Sequence, residues 1–195
     1  MIDGVLAVLA ALLASSPAQL TGQPEVPYVP TPPEVVQRML ALGEVASGDV
    51  VYDLGCGDGR IVIAAARIEG VRGACVEIDP VRLREARANA EREGVADRIR
   101  FVQADLFEVP IGEATVVTLY LLPRINLRLR PRLLAELRPG TRVVSHGFDM
   151  GDWRPEQRVV VALSEQEGVL FPQYVLYRWT IPAPSPSPSA SPAPR

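Results

Sequence analysis

The chain contains no lysine: all 20 of its basic residues are arginine. That excludes a lysine general base, a Schiff base and a phosphate-loop lysine. Histidine occurs once and cysteine twice in 195 residues. A zinc site therefore lacks its usual ligands, and two cysteines cannot build a disulfide scaffold. Positive charge is also in deficit. A net charge of −3 and a pI near 5.3 argue against general affinity for nucleic acid or anionic lipid. What remains is 48% hydrophobic and 22% charged, the balance of a soluble globular chain of one domain.

Neither end resembles the middle. Gly4 to Ala14 is an apolar run of eleven residues, short of the ~20 that span a bilayer. It has the length of a signal-peptide core, and Ser16-Pro17-Ala18 offers a cleavage site after Ala18. Met1 to Asp3 lacks the usual basic residues, so a short buried or interfacial helix is the alternative. Residues 1–22 are read as a signal-like or membrane-associating segment, and export or membrane attachment is the expected location, with the cytoplasm as the alternative. Pro182 to Arg195 alternates proline with serine or alanine and has no core-forming residue, so a disordered tail is expected there. Residues 23–181 are left as the folded domain.

Strand and helix signals alternate through that domain. Thr31-Pro-Pro-Glu34 predicts a helix start, with Thr31 as cap and Glu34 completing a capping box. Strands are expected at 49–54, 73–78, 99–103, 115–120 and 141–145. Helices are expected at 61–68, 80–93 and 123–137, the last interrupted at Pro131. Residues 158–163 and 169–181 read as a hairpin joined through Gly168. This order predicts a parallel α/β sheet with an antiparallel edge, and a ligand at the carboxyl ends of its strands.

The strongest signal is Asp53-Leu-Gly55-Cys56-Gly57-Asp58-Gly59-Arg60. It follows a strand and opens a helix, and Glu77 ends the next strand twenty residues after Gly57. An acid in that place suits the two hydroxyls of a ribose. A dinucleotide fingerprint is G-x-G-x-x-G; here the spacing is G-x-G-x-G, and Arg60 stands where the third glycine would be. Asp53 would repel a pyrophosphate but suits a ligand carrying ammonium or sulfonium charge, which points to S-adenosylmethionine. Asp105, just past the third strand, can accept from the adenine amino group, and Ile78 and Leu106 can sandwich the ring. Cys56 is placed to touch the cofactor through its backbone; both cysteines read as buried or turn residues.

With DLGCGDG (53–59), VEID (76–79) and QADLF (103–107), the chain resembles the class I, seven-β-strand S-adenosylmethionine-dependent methyltransferases over about 150 residues. YVPTPPEVVQRML, YLLP and Arg142 to His146 look closest to small bacterial relatives of the mitochondrial lysine methyltransferases acting on the adenine nucleotide translocase and the ATP synthase c-subunit. The resemblance implies a Rossmann-like sheet of order 3-2-1-4-5-7-6 with strand 7 antiparallel. It also implies that Tyr28 and Thr31 fold over the methionine end of the cofactor. Those relatives share a hydrophobic N-terminal segment.

Methyl transfer requires alignment and exclusion of water rather than a nucleophilic side chain. The acceptor is expected at the end of the fourth strand, Tyr120-Leu-Leu-Pro123. Amino-group methyltransferases of nucleic acids and of glutamine often carry Asp or Asn, Pro, Pro and an aromatic there, and this chain lacks the acid or amide. A carbonyl of the Tyr120–Pro123 turn, or Tyr120 itself, can still orient an amine. His146 is a candidate proton carrier near neutral pH. Asp149, Asp152 and Trp153 are candidates for the pocket rim, and Arg124, Arg128 and Arg132 read as a solvated helix face. The acceptor is expected to be a protein amine such as lysine. A small molecule, or cofactor binding without catalysis, are the alternatives. No metal and no nucleic acid partner are expected.

Overall fold

The computed structural model describes residues 27–163 and 173–183. The elements in chain order are α1 (Pro33–Leu42), β1 (Val50–Leu54), α2 (Arg60–Ala66), β2 (Arg72–Glu77), α3 (Pro80–Arg92), β3 (Ile99–Gln103), β4 (Val116–Leu119), α4 (Pro123–Glu136), β5 (Arg142–His146), β6 (Gln157–Ala162) and β7 (Gln173–Thr180). One seven-stranded sheet runs β3-β2-β1-β4-β5-β7-β6. The first five strands are mutually parallel, and β7 lies antiparallel between β5 and β6. This is the class I methyltransferase topology that the resemblance implied. The N-terminal apolar run, the link through Gly168 and nearly all of the Pro/Ser tail lie outside the described residues.

Both faces of the sheet are covered, so its strands read as apolar runs rather than alternations. Successive residues still point to opposite faces. Val51 and Val116 pack with Val35, Met39 and Ile61 of α1 and α2, whereas Tyr52 and Val117 pack with Ile125, Leu129 and Leu133 of α4. Ala86 and Ala90 of α3 are small enough to seat that helix against Val62 and Cys75.

Two local expectations change. Pro32, not Thr31, precedes α1, and no side chain caps the helix. Its carbonyl accepts the Val36 amide at 3.0 Å instead, and the Thr31 hydroxyl is drawn off by a tertiary partner described below. Helix α4 runs unbroken for 14 residues through Pro131. Proline removes one donor and crowds the preceding turn. Here Pro131 and Leu127, whose carbonyl would lose its partner, are both exposed, while Ile125, Leu129 and Leu133 hold the other side in the core.

Candidate cofactor and acceptor site

The carboxyl ends of β1, β2 and β4 and the turn after β3 converge on a cavity of about 220 Å³. The loop between β1 and α2 forms its floor. It is tight because Gly55, Gly57 and Gly59 all take positive φ, at 79°, 54° and 79°. Gly57 is also a contact: a Cβ there would lie 2.6 Å from Cε2 of Tyr28. The ring of Tyr28 thus lies on the glycine turn, and the segment before α1 folds across the cavity.

All ten expected cofactor residues line this cavity. Tyr28 and Thr31 come from the segment before α1, and Asp53, Gly55, Cys56 and Gly57 from β1 and its loop. Glu77 and Ile78 come from the end of β2, and Asp105 and Leu106 from the turn after β3. The three carboxylates are held differently. Glu77 Oε2 accepts the Gly57 amide at 2.9 Å and Oε1 the Asp79 amide at 2.9 Å, so backbone donors fix the orientation of its carboxylate. Asp105 Oδ1 accepts the Phe107 amide at 2.9 Å. Asp53 is 2% exposed. Its Oδ1 accepts the Thr118 hydroxyl at 2.8 Å, and its Oδ2 has no hydrogen-bond partner.

That orphaned oxygen bears on the cofactor. Burial pushes the Asp53 carboxyl up to about 7, and the charges of Asp58 and Glu77 add to the shift against the pull of the Thr118 hydroxyl and the Val62 amide. A carboxylate desolvated this far lacks a cation. The ammonium of an amino-acid moiety supplies both the missing hydrogen bond and the missing charge. Among the described residues no group of three or more metal-ligating side chains occurs.

A clasp holds the covering segment, and sequence reasoning missed it. Arg60 bonds Asp58 at 2.6 Å and donates through Nη1 to the Thr31 carbonyl at 2.8 Å. Burial raises the Asp58 carboxyl, but the Arg60 guanidinium more than offsets it and leaves Asp58 below the ordinary range. Arg82 lies over the Tyr28 ring, 4.1 Å from its centroid. The signal was visible only as the unexpected Arg60 in the glycine motif.

The acceptor candidates separate. Tyr120 lines the cavity beside Leu121 and Ile125, while Pro123 and His146 do not. Pro123 opens α4. His146 is 1% exposed behind Tyr120, with ring centroids 3.7 Å apart, and its Nδ1 is hydrogen-bonded to Thr31 Oγ1 at 3.2 Å. Burial lowers its pKa to about 4, so it stays neutral near pH 7 and sits outside the cavity lining, behind Tyr120. Burial also raises the Tyr120 phenol, which stays protonated.

The expected rim residues fold away from the cavity as well. Asp149 caps the Gly151 amide at 3.0 Å, Asp152 pairs with Arg130, and the Trp153 carbonyl accepts Trp179 Nε1 at 2.7 Å. The arginine face of α4 is not simply solvated. Arg132 donates to the carbonyls of Leu106 and Val109, both at 2.9 Å, and Arg128 lies 3.7 Å over the Phe107 ring. Both brace the turn that carries Asp105 and Leu106. The second missed feature is a disulfide between Cys56 and Cys75.

Strand order, glycine loop and carboxylates define a class I S-adenosylmethionine-dependent methyltransferase. Residues 53–157 match the family model described as the ANTKMT methyltransferase domain, and the chain belongs to that family. It is 54% identical over 139 residues to a protein-lysine N-methyltransferase of Saccharolobus islandicus, covering 71% of this chain and 86% of that protein. It is 33% identical over 156 residues to the ATP synthase c-subunit lysine N-methyltransferase of Xenopus laevis, covering 80% and 68%. Among solved structures, an RNA methyltransferase from Salinibacter ruber in complex with S-adenosyl-L-homocysteine is 56% identical. It covers 81% of this chain and 97% of its own, with a TM-score of 0.72.

Proposed function

We propose that this methyltransferase N-methylates lysine side chains of a protein acceptor. The observation that carries the proposal is the 54% identity to a protein-lysine N-methyltransferase across most of both chains. The acceptor side of the cavity supports it. Pro27, Tyr28, Val29, Tyr120, Leu121 and Ile125 make an apolar, aromatic wall that suits the aliphatic stem of lysine. Tyr28 and Val29 are 39% and 37% exposed, large hydrophobics left at the surface for a partner to cover.

In this reading Asp53 meets the cofactor ammonium, Glu77 the ribose hydroxyls and Asp105 the adenine amino group, with Ile78 and Leu106 on the ring faces. The bound cofactor supplies an electrophilic methyl on sulfonium. The apolar wall disfavours the charged form of the entering lysine, which lowers its pKa and frees the nitrogen lone pair. Tyr120 and the carbonyls of the turn after β4 orient that nitrogen in line with the methyl carbon. The N–C bond forms as the S–C bond breaks, and the proton leaves the new ammonium for solvent.

Export or membrane attachment is proposed from the N-terminal apolar run, Gly4 to Ala14, which has the length of a signal-peptide core. Fractionation of cells tests that part; full-length, unprocessed chain in the soluble cytosolic fraction contradicts it. For the acceptor, the experiment is incubation with methyl-labelled cofactor and host lysate, followed by separation into protein, RNA and small molecules. Label as methyl-lysine in protein is the expected result. The enzyme has no lysine, so such label belongs to the acceptor. Label in RNA or small molecules refutes the proposal, and a cofactor-binding chain that transfers no label is a non-catalytic binder.

A further inference from the structure

Cys56 and Cys75 are the two cysteines of the chain, and their Cα atoms lie 5.3 Å apart across the disulfide. The bond ties the glycine loop to the middle of β2. Cys75 is 0% exposed and Cys56 6%. Cys56 lines the cofactor cavity and Cys75 does not. Cys56 is thus the half of the bond that belongs to the cavity's lining, and its side chain packs with Cys75, Val62 and Ile63.

The same loop makes the cofactor's cradle. Besides the bond, the loop is held by non-covalent contacts: the Gly55 and Cys56 amides donate to the Val76 carbonyl at 2.8 and 3.1 Å, the Gly59 amide to the Cys56 carbonyl at 2.9 Å, and the Gly57 amide to Glu77 at 2.9 Å. The last contact also aims the Glu77 carboxylate. Three glycines at positive φ give the loop other conformations to visit once the covalent tie is gone.

We propose that Cys56–Cys75 is a reversible redox site that sets the affinity for the cofactor, and that bound cofactor shields it. In the oxidising direction the two thiols close on a small-molecule disulfide, R–S–S–R. The Cys56–Cys75 bond forms, the R–S–S–R bond breaks, and two electrons and two protons leave with two molecules of RSH. In the reducing direction one thiolate of a dithiol attacks Cys56 sulfur, Cys75 leaves as thiolate and takes a proton, and the second thiol of the reagent releases Cys56. Reduction loosens the cradle and weakens cofactor binding. By linkage, bound cofactor disfavours reduction by the same factor. The proposal rests on the cofactor assignment and not on the identity of the methyl acceptor.

Calorimetric titration of the full chain with S-adenosylhomocysteine, before and after dithiothreitol, tests it. Reduction weakens binding about tenfold, the factor by which the competent loop population falls, and oxidised glutathione restores it. Free-thiol titration gives none oxidised and two reduced, and saturating S-adenosylhomocysteine slows the appearance of thiols. A Cys75→Ala variant binds as the reduced wild type does and ignores dithiothreitol; the wild-type comparison decides if that variant fails to fold. Equal affinity in both redox states, an unchanged reduction rate with ligand bound, thiols that glutathione disulfide cannot close, or a bond that dithiothreitol cannot open in the ligand-free chain overturns the proposal. Failure of S-adenosylhomocysteine to bind in either state refutes the cofactor assignment instead.

Discussion

Replacing Asp53 by asparagine should stabilise the empty protein and cripple cofactor binding at the same time. Burial raises the folded-state pKa of this carboxyl from 3.8 to about 7. A raised carboxyl pKa means that the folded chain holds a proton which the unfolded chain releases. Stability therefore falls as pH rises from about 4 to about 7 and levels off above. Three units at ~1.36 kcal/mol each make this destabilisation about 4 kcal/mol at pH 8. Asparagine removes the charge but keeps a group that can bond the Thr118 hydroxyl. Ligand-free Asp53→Asn is therefore expected to gain about 2 to 4 kcal/mol at pH 8, or roughly 5–10 °C in melting temperature, and little at pH 5. Binding of S-adenosylhomocysteine should weaken by about 3 kcal/mol or more, because the ligand ammonium loses its buried partner. For the wild type, binding at pH 6 requires loss of the Asp53 proton and should be about tenfold weaker than at pH 8. Differential scanning calorimetry at both pH values and calorimetric titration check each part. An empty variant that melts lower than wild type at pH 8, or one that binds the ligand normally, contradicts the role given to Asp53.

Other perturbations read out separate parts of the site. Glu77→Ala removes an acceptor for the ribose hydroxyls and frees the Gly57 and Asp79 amides, so titration should show a loss of about 2 to 4 kcal/mol in S-adenosylhomocysteine binding; wild-type affinity contradicts the assignment. Gly57→Ala places a methyl 2.6 Å from the Tyr28 ring at a φ of 54° and should weaken ligand binding. Adding Tyr28→Ala should recover part of that loss, and strict additivity would show the two residues to be independent. His146→Gln should lower stability by about 1 to 3 kcal/mol through lost packing while the pH–rate profile between 6 and 8 keeps its shape. A lost or displaced limb in that profile would restore His146 as a proton carrier.

The site was more legible than its supports. Asp53 lies one residue before the end of its strand, Glu77 ends its own and Asp105 follows a third, places fixed by local chain direction, so reading strands and glycines was enough to predict their convergence. The strand order required the family resemblance, because periodicity carries no information on which parallel strands are neighbours. Side-chain partners far apart in sequence were not legible. Thr31 looked like a helix cap because Glu34 follows at the right spacing, and only the fold brings His146 to it across 115 positions. His146 looked titratable until Tyr120 and Tyr174 closed around it. Cys56 and Cys75 sit 19 residues apart on either side of a helix, and only the pairing of β1 with β2, which sets Asp53 beside Cys75, brings the glycine loop over the second thiol. Arg132 read as surface charge because its acceptors are backbone carbonyls of a distant turn.

A crystal structure of this chain grown with S-adenosylhomocysteine at pH 8 decides whether the three carboxylates hold the cofactor. The Glu77 carboxylate should lie within hydrogen-bond distance of both ribose hydroxyls, the Asp105 carboxylate at the adenine amino group, and the Asp53 carboxylate at the ligand ammonium. The homocysteine sulfur should face Tyr120. A ligand whose ammonium lies away from Asp53, or whose ribose makes no contact with Glu77, overturns that assignment.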